Sequence, residues 1–163
     1  MKSGTLLGVT LLTVGLAAVT GSMSAQGRPD DPNGDHGRQC DEGMLKGTYG
    51  TQVAGERPEA GANPTDKTKR EQFFALALGT FDGHGSFTQV DNSHGFSATG
   101  LDRPGWGTYT VNPDCTGSVT VWNEGLPFPI QSRIVVLDGG AETRGIVVSP
   151  SVVVASTTSR RVF

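Results

Sequence analysis

The sequence predicts an all-β domain, an eight-stranded antiparallel up-and-down barrel, and three observations carry that expectation. Glycine and proline contribute 24 and 9 of 163 residues, while only 18% of residues are charged. Average chains hold about 12% Gly plus Pro and about 25% charged residues, so a coiled coil, a long-helix bundle or a charge-rich disordered tail fits this balance poorly. Beyond residue 40, short runs of alternating apolar and polar residues are separated by Gly, Pro, Asn and Asp, the pattern of half-buried strands between tight turns. Finally, the order of these turns brings the chain's two cysteines to one end of a meander.

The first segment is an address. Lys2 precedes an apolar run of 14 residues, Leu6 to Val19, and then small residues up to Ala25, the layout of a secretory signal peptide over residues 1–25. The rival reading, a membrane span, needs about 20 apolar residues. No cysteine stands at the cleavage boundary, which argues against a lipid anchor. Residues 26–39 carry turn formers without hydrophobic pattern and read as a flexible leader, leaving 40–163 as a single barrel domain. The protein is therefore expected to be secreted or periplasmic. Cys40 and Cys115, the only cysteines, form an even pair bound for an oxidising compartment, which reads as one disulfide.

Eight strands follow: 45–55, 72–81, 86–91, 105–112, 117–123, 128–137, 142–148 and 152–159. Alternation is clearest in Gly107-Thr108-Tyr109-Thr110-Val111 and in Ser118-Val119-Thr120-Val121-Trp122. Turns are marked by Asp82-Gly83-His84-Gly85, Asn112-Pro113-Asp114 and Asp138-Gly139-Gly140. The segment Thr68 to Leu78 is ambiguous. It opens like a capping box and is rich in helix formers ending at Gly79, but three cations at its start, Lys67, Lys69 and Arg70, oppose the helix dipole, and the strand reading is favoured.

In a meander, successive turns alternate between the two ends. With the start of the first strand at end A, the turns at 82–85, 112–116 and 138–141 also lie at end A, and the connections 56–71, 92–104, 124–127 and 149–151 lie at end B. Cys40 and Cys115 both fall at end A, so their bridge is geometrically allowed. An even strand number leaves the first and last strands antiparallel, so the sheet can close and remove its edges. Eight strands enclose space for packed side chains or one small ligand.

The stretches Leu45-Lys46-Gly47-Thr48-Tyr49-Gly50, Phe81-Asp82-Gly83-His84-Gly85 and Gly107-Thr108-Tyr109-Thr110-Val111-Asn112-Pro113-Asp114-Cys115-Thr116-Gly117 resemble a family of small exported bacterial proteins to which no activity is assigned. The resemblance spans roughly residues 40–160 and implies a calycin-like (lipocalin-type) or allene-oxide-cyclase-like eight-stranded barrel. The first strand opens Gly47-Thr48-Tyr49 where lipocalins carry Gly-x-Trp, and no family site transfers to this chain.

The residues offer little overt chemistry. Asp31, Asn33, Asp35 and Glu42 occupy the first, third, fifth and twelfth positions of a calcium-loop pattern, but His36 stands where that loop needs glycine, and a solvated leader is the simpler reading. His84 and His94 flank one strand at roughly 30 Å and cannot share an ion, and no metal-ligand motif adds to His36. No nucleophile elbow, nucleotide-binding glycine motif or other cofactor motif occurs, so neither catalytic residues nor a cofactor nor a metal is assigned. With 13 basic and 16 acidic residues and a formal charge of -3, the chain lacks the basic field that holds nucleic acid. A two-residue Gly139-Gly140 loop pairs Val135 with Arg144 and Arg133 with Ile146. That makes Arg133 and Arg144 neighbours beside Glu142, a solvated cluster if they face outward and an anion site if they face inward. Phe163 resembles the terminal aromatic of outer-membrane barrels, but the expected strands are mostly shorter than the roughly 9–11 residues a membrane strand needs, so no membrane association is expected after signal-peptide removal.

The reading that results is a non-catalytic exported barrel binding a small, largely apolar molecule. The alternatives are a cyclase or isomerase using the cavity, and a structural or protein-interaction module at the cell surface. Long connections on a rigid scaffold are where binding resides, so end B is the expected rim. Trp106, Phe128, Phe96, Arg103 and His94 are its candidate ligand-binding residues, with Arg57 and Glu124 nearby.

Overall fold

Within each run, alternation turns one set of side chains inward and the other to solvent, and the inward set lines a closed barrel. The computed structural model describes residues 39–163. The expected signal peptide, the leader up to residue 38, the calcium-pattern positions Asp31, Asn33 and Asp35, and His36 lie outside the described residues. A short 3₁₀ turn, Glu42–Leu45, precedes eight strands: β1 Gly47–Pro58, β2 Arg70–Phe81, β3 Ser86–Gly95, β4 Thr99–Val111, β5 Thr116–Asn123, β6 Ile130–Leu137, β7 Glu142–Ser149 and β8 Val154–Arg161. Every sequential neighbour pairs antiparallel, and β8 returns to β1, with Tyr49 opposite Arg161 and Glu56 opposite Val154. The barrel is the expected up-and-down meander, and closure leaves no edge to template another chain.

The ambiguous segment is strand. Along β2 the inner positions are Glu71, Phe73, Ala75, Ala77, Gly79 and Phe81, and the outer ones include Phe74, Leu76 and Leu78. Apolar residues on both faces blur the period of two, and that is the source of the helix-like signal. The hairpin register around Gly139-Gly140 is as expected, with Arg133 opposite Ile146 and Val135 opposite Arg144. Both arginines lie on the solvent side. Glu142 accepts from Arg144 Nε at 2.6 Å and from Arg160 Nε at 2.8 Å, so Arg144 joins an outer-wall ion network and Arg133 stands beside it.

The largest departure lies between β3 and β4. The connection expected over 92–104 is only the tip 96–98, because both strands continue as a protruding hairpin. Asn92, Ser93 and Asp102 carry turn-like composition and Pro104 lacks a donor, so the sequence reads as loop. A register shift between Asp91 and Ser93 and a positive φ of 51° at Asp102 absorb the irregularity. The remaining strand limits coincide or shift by at most three residues, and Leu45, expected in the first strand, belongs to the 3₁₀ turn. With β1 through β4 spanning 10 to 13 residues, the expectation of mostly short strands holds only for the second half of the barrel.

End A is packed shut. Phe81 stacks on Phe87 with ring centroids 4.6 Å apart, and Tyr49 and Tyr109 each approach Phe81 at 5.2 Å. Leu45 plugs the end at 1% exposure. Gly107 lies inward beneath this layer, where a Cβ would collide with the Phe87 ring and the Thr120 carbonyl; only glycine leaves room for the aromatic floor. The plug is tied down from several sides. The Tyr109 hydroxyl donates to the Glu42 carbonyl at 3.1 Å, Val111 N–H donates to the Glu42 carboxylate at 3.2 Å, and Cys40 is bridged to Cys115 with Cα atoms 5.0 Å apart.

Candidate ligand cavity

Small side chains at mid-barrel decide that the interior is hollow. Above the aromatic floor, β1 and β2 present Thr51, Val53, Ala75 and Ala77 inward, and β5 presents Val119 and Val121. These leave a cavity of about 790 Å³ running toward end B, where residues 58–62, Pro64 and residues 125–128 frame its mouth. That size suits a small-molecule pocket, for which about 300–1,000 Å³ is usual.

Two ion pairs stand inside the mouth. Arg103 on β4 donates from Nε and Nη2 to the two oxygens of Asp91 on β3, at 3.1 and 2.7 Å, and from Nη2 to Ser93 Oγ at 3.0 Å. Arg57 on β1 donates from Nε to Glu71 Oε1 on β2 at 2.8 Å and from Nη2 to the Ala98 carbonyl at 2.6 Å. Ser97, at the tip of the β3–β4 hairpin, donates its N–H and its hydroxyl to Glu71 at 2.6 and 2.8 Å. The hairpin tip is thereby fastened to the β1–β2 wall. Deeper in, Gln89 Nε2 donates to Asn123 Oδ1 at 2.9 Å.

Glu71 and Asp91 are each 5% exposed, a location that costs several kcal/mol per ion unless partners compensate. Among the described residues no buried side-chain nitrogen or oxygen lacks a partner. At Glu71 burial is the strongest single influence and pushes the carboxyl upward. The bonds from Ser97 and Arg57 together outweigh it and hold the group below its ordinary value of 4.5. Glu142 on the outer wall is also held low, foremost by the Arg144 hydrogen bond. A carboxylate that ionises more readily in the folded state adds stability above its unfolded-state pKa and loses it as pH falls through its folded-state value. The melting temperature is therefore expected to hold through neutral pH and to drop as the solution is acidified below 4.5. Glu71→Gln should flatten part of that drop. An unchanged melting temperature down to about pH 2, below the usual paired-carboxylate range, would contradict the role given to these pairs.

The expected rim residues separate. Arg103 and Phe128 line the cavity, as does Arg57. Trp106 lies on the outer wall, 54% exposed, opposite Thr88 and Trp122. His94 also faces outward, its Nδ1 2.9 Å from Thr99 Oγ1. Phe96 stands at the hairpin tip, 98% exposed, and Glu124 is exposed beyond β5. Trp106 and Arg103 are three residues apart on one strand, so they must point to opposite faces. Glu71, Asp91, Gln89 and Asn123 escaped the sequence reading, although the period of two places Asp91 and Gln89 on the same face as Phe87.

Fold and cavity together define a class: a closed eight-stranded antiparallel barrel, shut at one end by a disulfide-tied plug and hollow toward the other. Comparison with known proteins leaves the description at that level, since no family model, no curated protein and no solved structure matches the chain.

Proposed function

We propose that this chain is an exported, non-catalytic barrel of the calycin-like or allene-oxide-cyclase-like kind that holds a small, largely apolar molecule in its cavity. The observation that carries the reading is the cavity of about 790 Å³, apolar along its walls and floored by aromatics. A filled interior would have favoured a structural or interaction module. The disulfide agrees with an oxidising compartment. The outer wall of β6 to β8 bears Arg133, Glu142, Arg144 and Arg160, charges that suit water rather than lipid.

The enzymatic alternative draws on one observation, the buried carboxylate of Glu71 in the cavity. A general base works best with a pKa near the operating pH. Glu71 is instead held below 4.5 and already accepts three hydrogen bonds, which favours binding over catalysis.

Native mass spectrometry of protein purified from its own culture should reveal a retained small molecule. Fluorescence titration with N-phenylnaphthylamine, a neutral apolar dye, tests the cavity directly. Ala77 faces the hollow middle of the barrel, so Ala77→Trp should fill it and weaken dye binding by at least about tenfold. Undiminished binding by a folded Ala77→Trp variant would place the site elsewhere.

A further inference from the structure

We infer that the molecule this cavity selects is uncharged, an apolar body ending in a neutral oxygen group of the alcohol or amide class. The inference rests on the binding reading above and specifies its ligand. Two arginines in a barrel mouth suggest an anchor for an acid, but here each is already paired with a buried carboxylate. Arg103 grips Asp91 through both carboxylate oxygens, and Arg57 divides its bonds between Glu71 and the Ala98 carbonyl. Glu59 adds a third carboxylate to the lining, so Arg57 and Arg103 face Glu59, Glu71 and Asp91.

An anionic ligand therefore enters a site with no spare positive charge, and it loses hydration without gaining a counterion. A ligand carboxylate that took Arg103 for itself would strand Asp91, which is 5% exposed. An ammonium group is likewise poorly served, because the two deep carboxylates are already paired and only Glu59, near the mouth, has no salt-bridge partner among the described residues.

The neutral anchor is the amide pair. Gln89 and Asn123 both line the cavity, and the bond between them uses one group of each amide. One amide carbonyl and one amide NH₂ are left, whichever way the two amides are turned. An acceptor beside a donor matches a hydroxyl or an amide, each of which offers both.

The test is displacement of N-phenylnaphthylamine from the full-length mature protein at neutral pH by decanol, decanoate and decylammonium, each compared after correction for its partition into octanol. Decanol is expected to displace the dye at a concentration at least about tenfold lower than either ion. Asp91→Asn, which leaves Arg103 without its carboxylate, should improve decanoate by at least about tenfold. Glu71→Gln tests the same point at Arg57 should the first variant fail to fold. Decanoate binding as well as decanol to the unaltered protein, or no gain for decanoate in a folded variant, overturns the inference while the cavity reading stands. Failure of the dye itself to bind overturns both.

Discussion

Replacing both Cys40 and Cys115 with serine is expected to lower the unfolding free energy by roughly 4 kcal/mol, the chain-entropy value for a loop of this size. The bridge spans 75 residues and joins the segment ahead of the 3₁₀ plug to the β4–β5 turn. In the folded protein the neighbouring backbone is independently held. Cys40 N–H donates to the Pro113 carbonyl, and Val136 N–H donates to the Cys115 carbonyl at 2.8 Å. The loss should therefore appear mainly as a more expanded unfolded state, with a larger denaturant slope beside the lower midpoint. Equilibrium guanidinium unfolding of the oxidised protein and the double variant checks this. A difference below about 1 kcal/mol, the size of a single hydrogen bond, would mean that burial of the plug does the work assigned to the bridge.

Tyr49→Ala should cost about 4 kcal/mol, as expected for removing a fully buried aromatic. Tyr49 is 1% exposed, packs edge-on against Phe81, and places its hydroxyl where three chain segments meet. That hydroxyl donates to the Gly140 carbonyl and accepts from Arg161 Nη2 at 2.9 Å and Nε at 3.2 Å. Arg161 also donates to the Met44 carbonyl at 2.7 Å, so β1, β8, the β6–β7 turn and the plug share one knot. Tyr49→Phe keeps the ring and removes the knot, and should cost only about 1–2 kcal/mol. Chemical denaturation of both variants separates the contributions. Equal losses would show that hydrogen bonding, and not packing, holds end A.

Much of this architecture was legible because it rests on local rules. Gly107 through Val111 and Ser118 through Val121 alternate, and their pairing, Tyr109 opposite Val119, follows from the short turn between them. The turns themselves are set by nearby side chains. Asp82 Oδ1 accepts from the N–H groups of His84 and Ser86 at 2.7 and 3.0 Å, and Asp114 Oδ1 accepts from Thr116 N–H at 3.0 Å. The β3–β4 hairpin was not legible, because its tip is fastened by partners distant in sequence: Ser97 donates to Glu71, and the Ala98 carbonyl accepts from Arg57. The site suffered the same way. Trp106 adjoins the connection expected over 92–104, whereas the face it occupies is decided by its spacing from Arg103.

By itself the sequence determined the number of strands, their antiparallel order, the register across Gly139-Gly140 and the end at which Cys40 and Cys115 meet. Each of these depends on alternation within a strand, on the residues of an adjacent turn, or on the parity of turns along a meander. Tertiary structure alone decided that the barrel is hollow at Ala75 and Ala77, and that Glu71 and Asp91 are buried beside Arg57 and Arg103. A carboxylate in a sequence reads as solvated, since its burial is tolerable only with a countercharge at hand. That countercharge comes from the neighbouring strand, where the register of each hairpin sets Arg57 opposite Glu71 and Arg103 opposite Asp91.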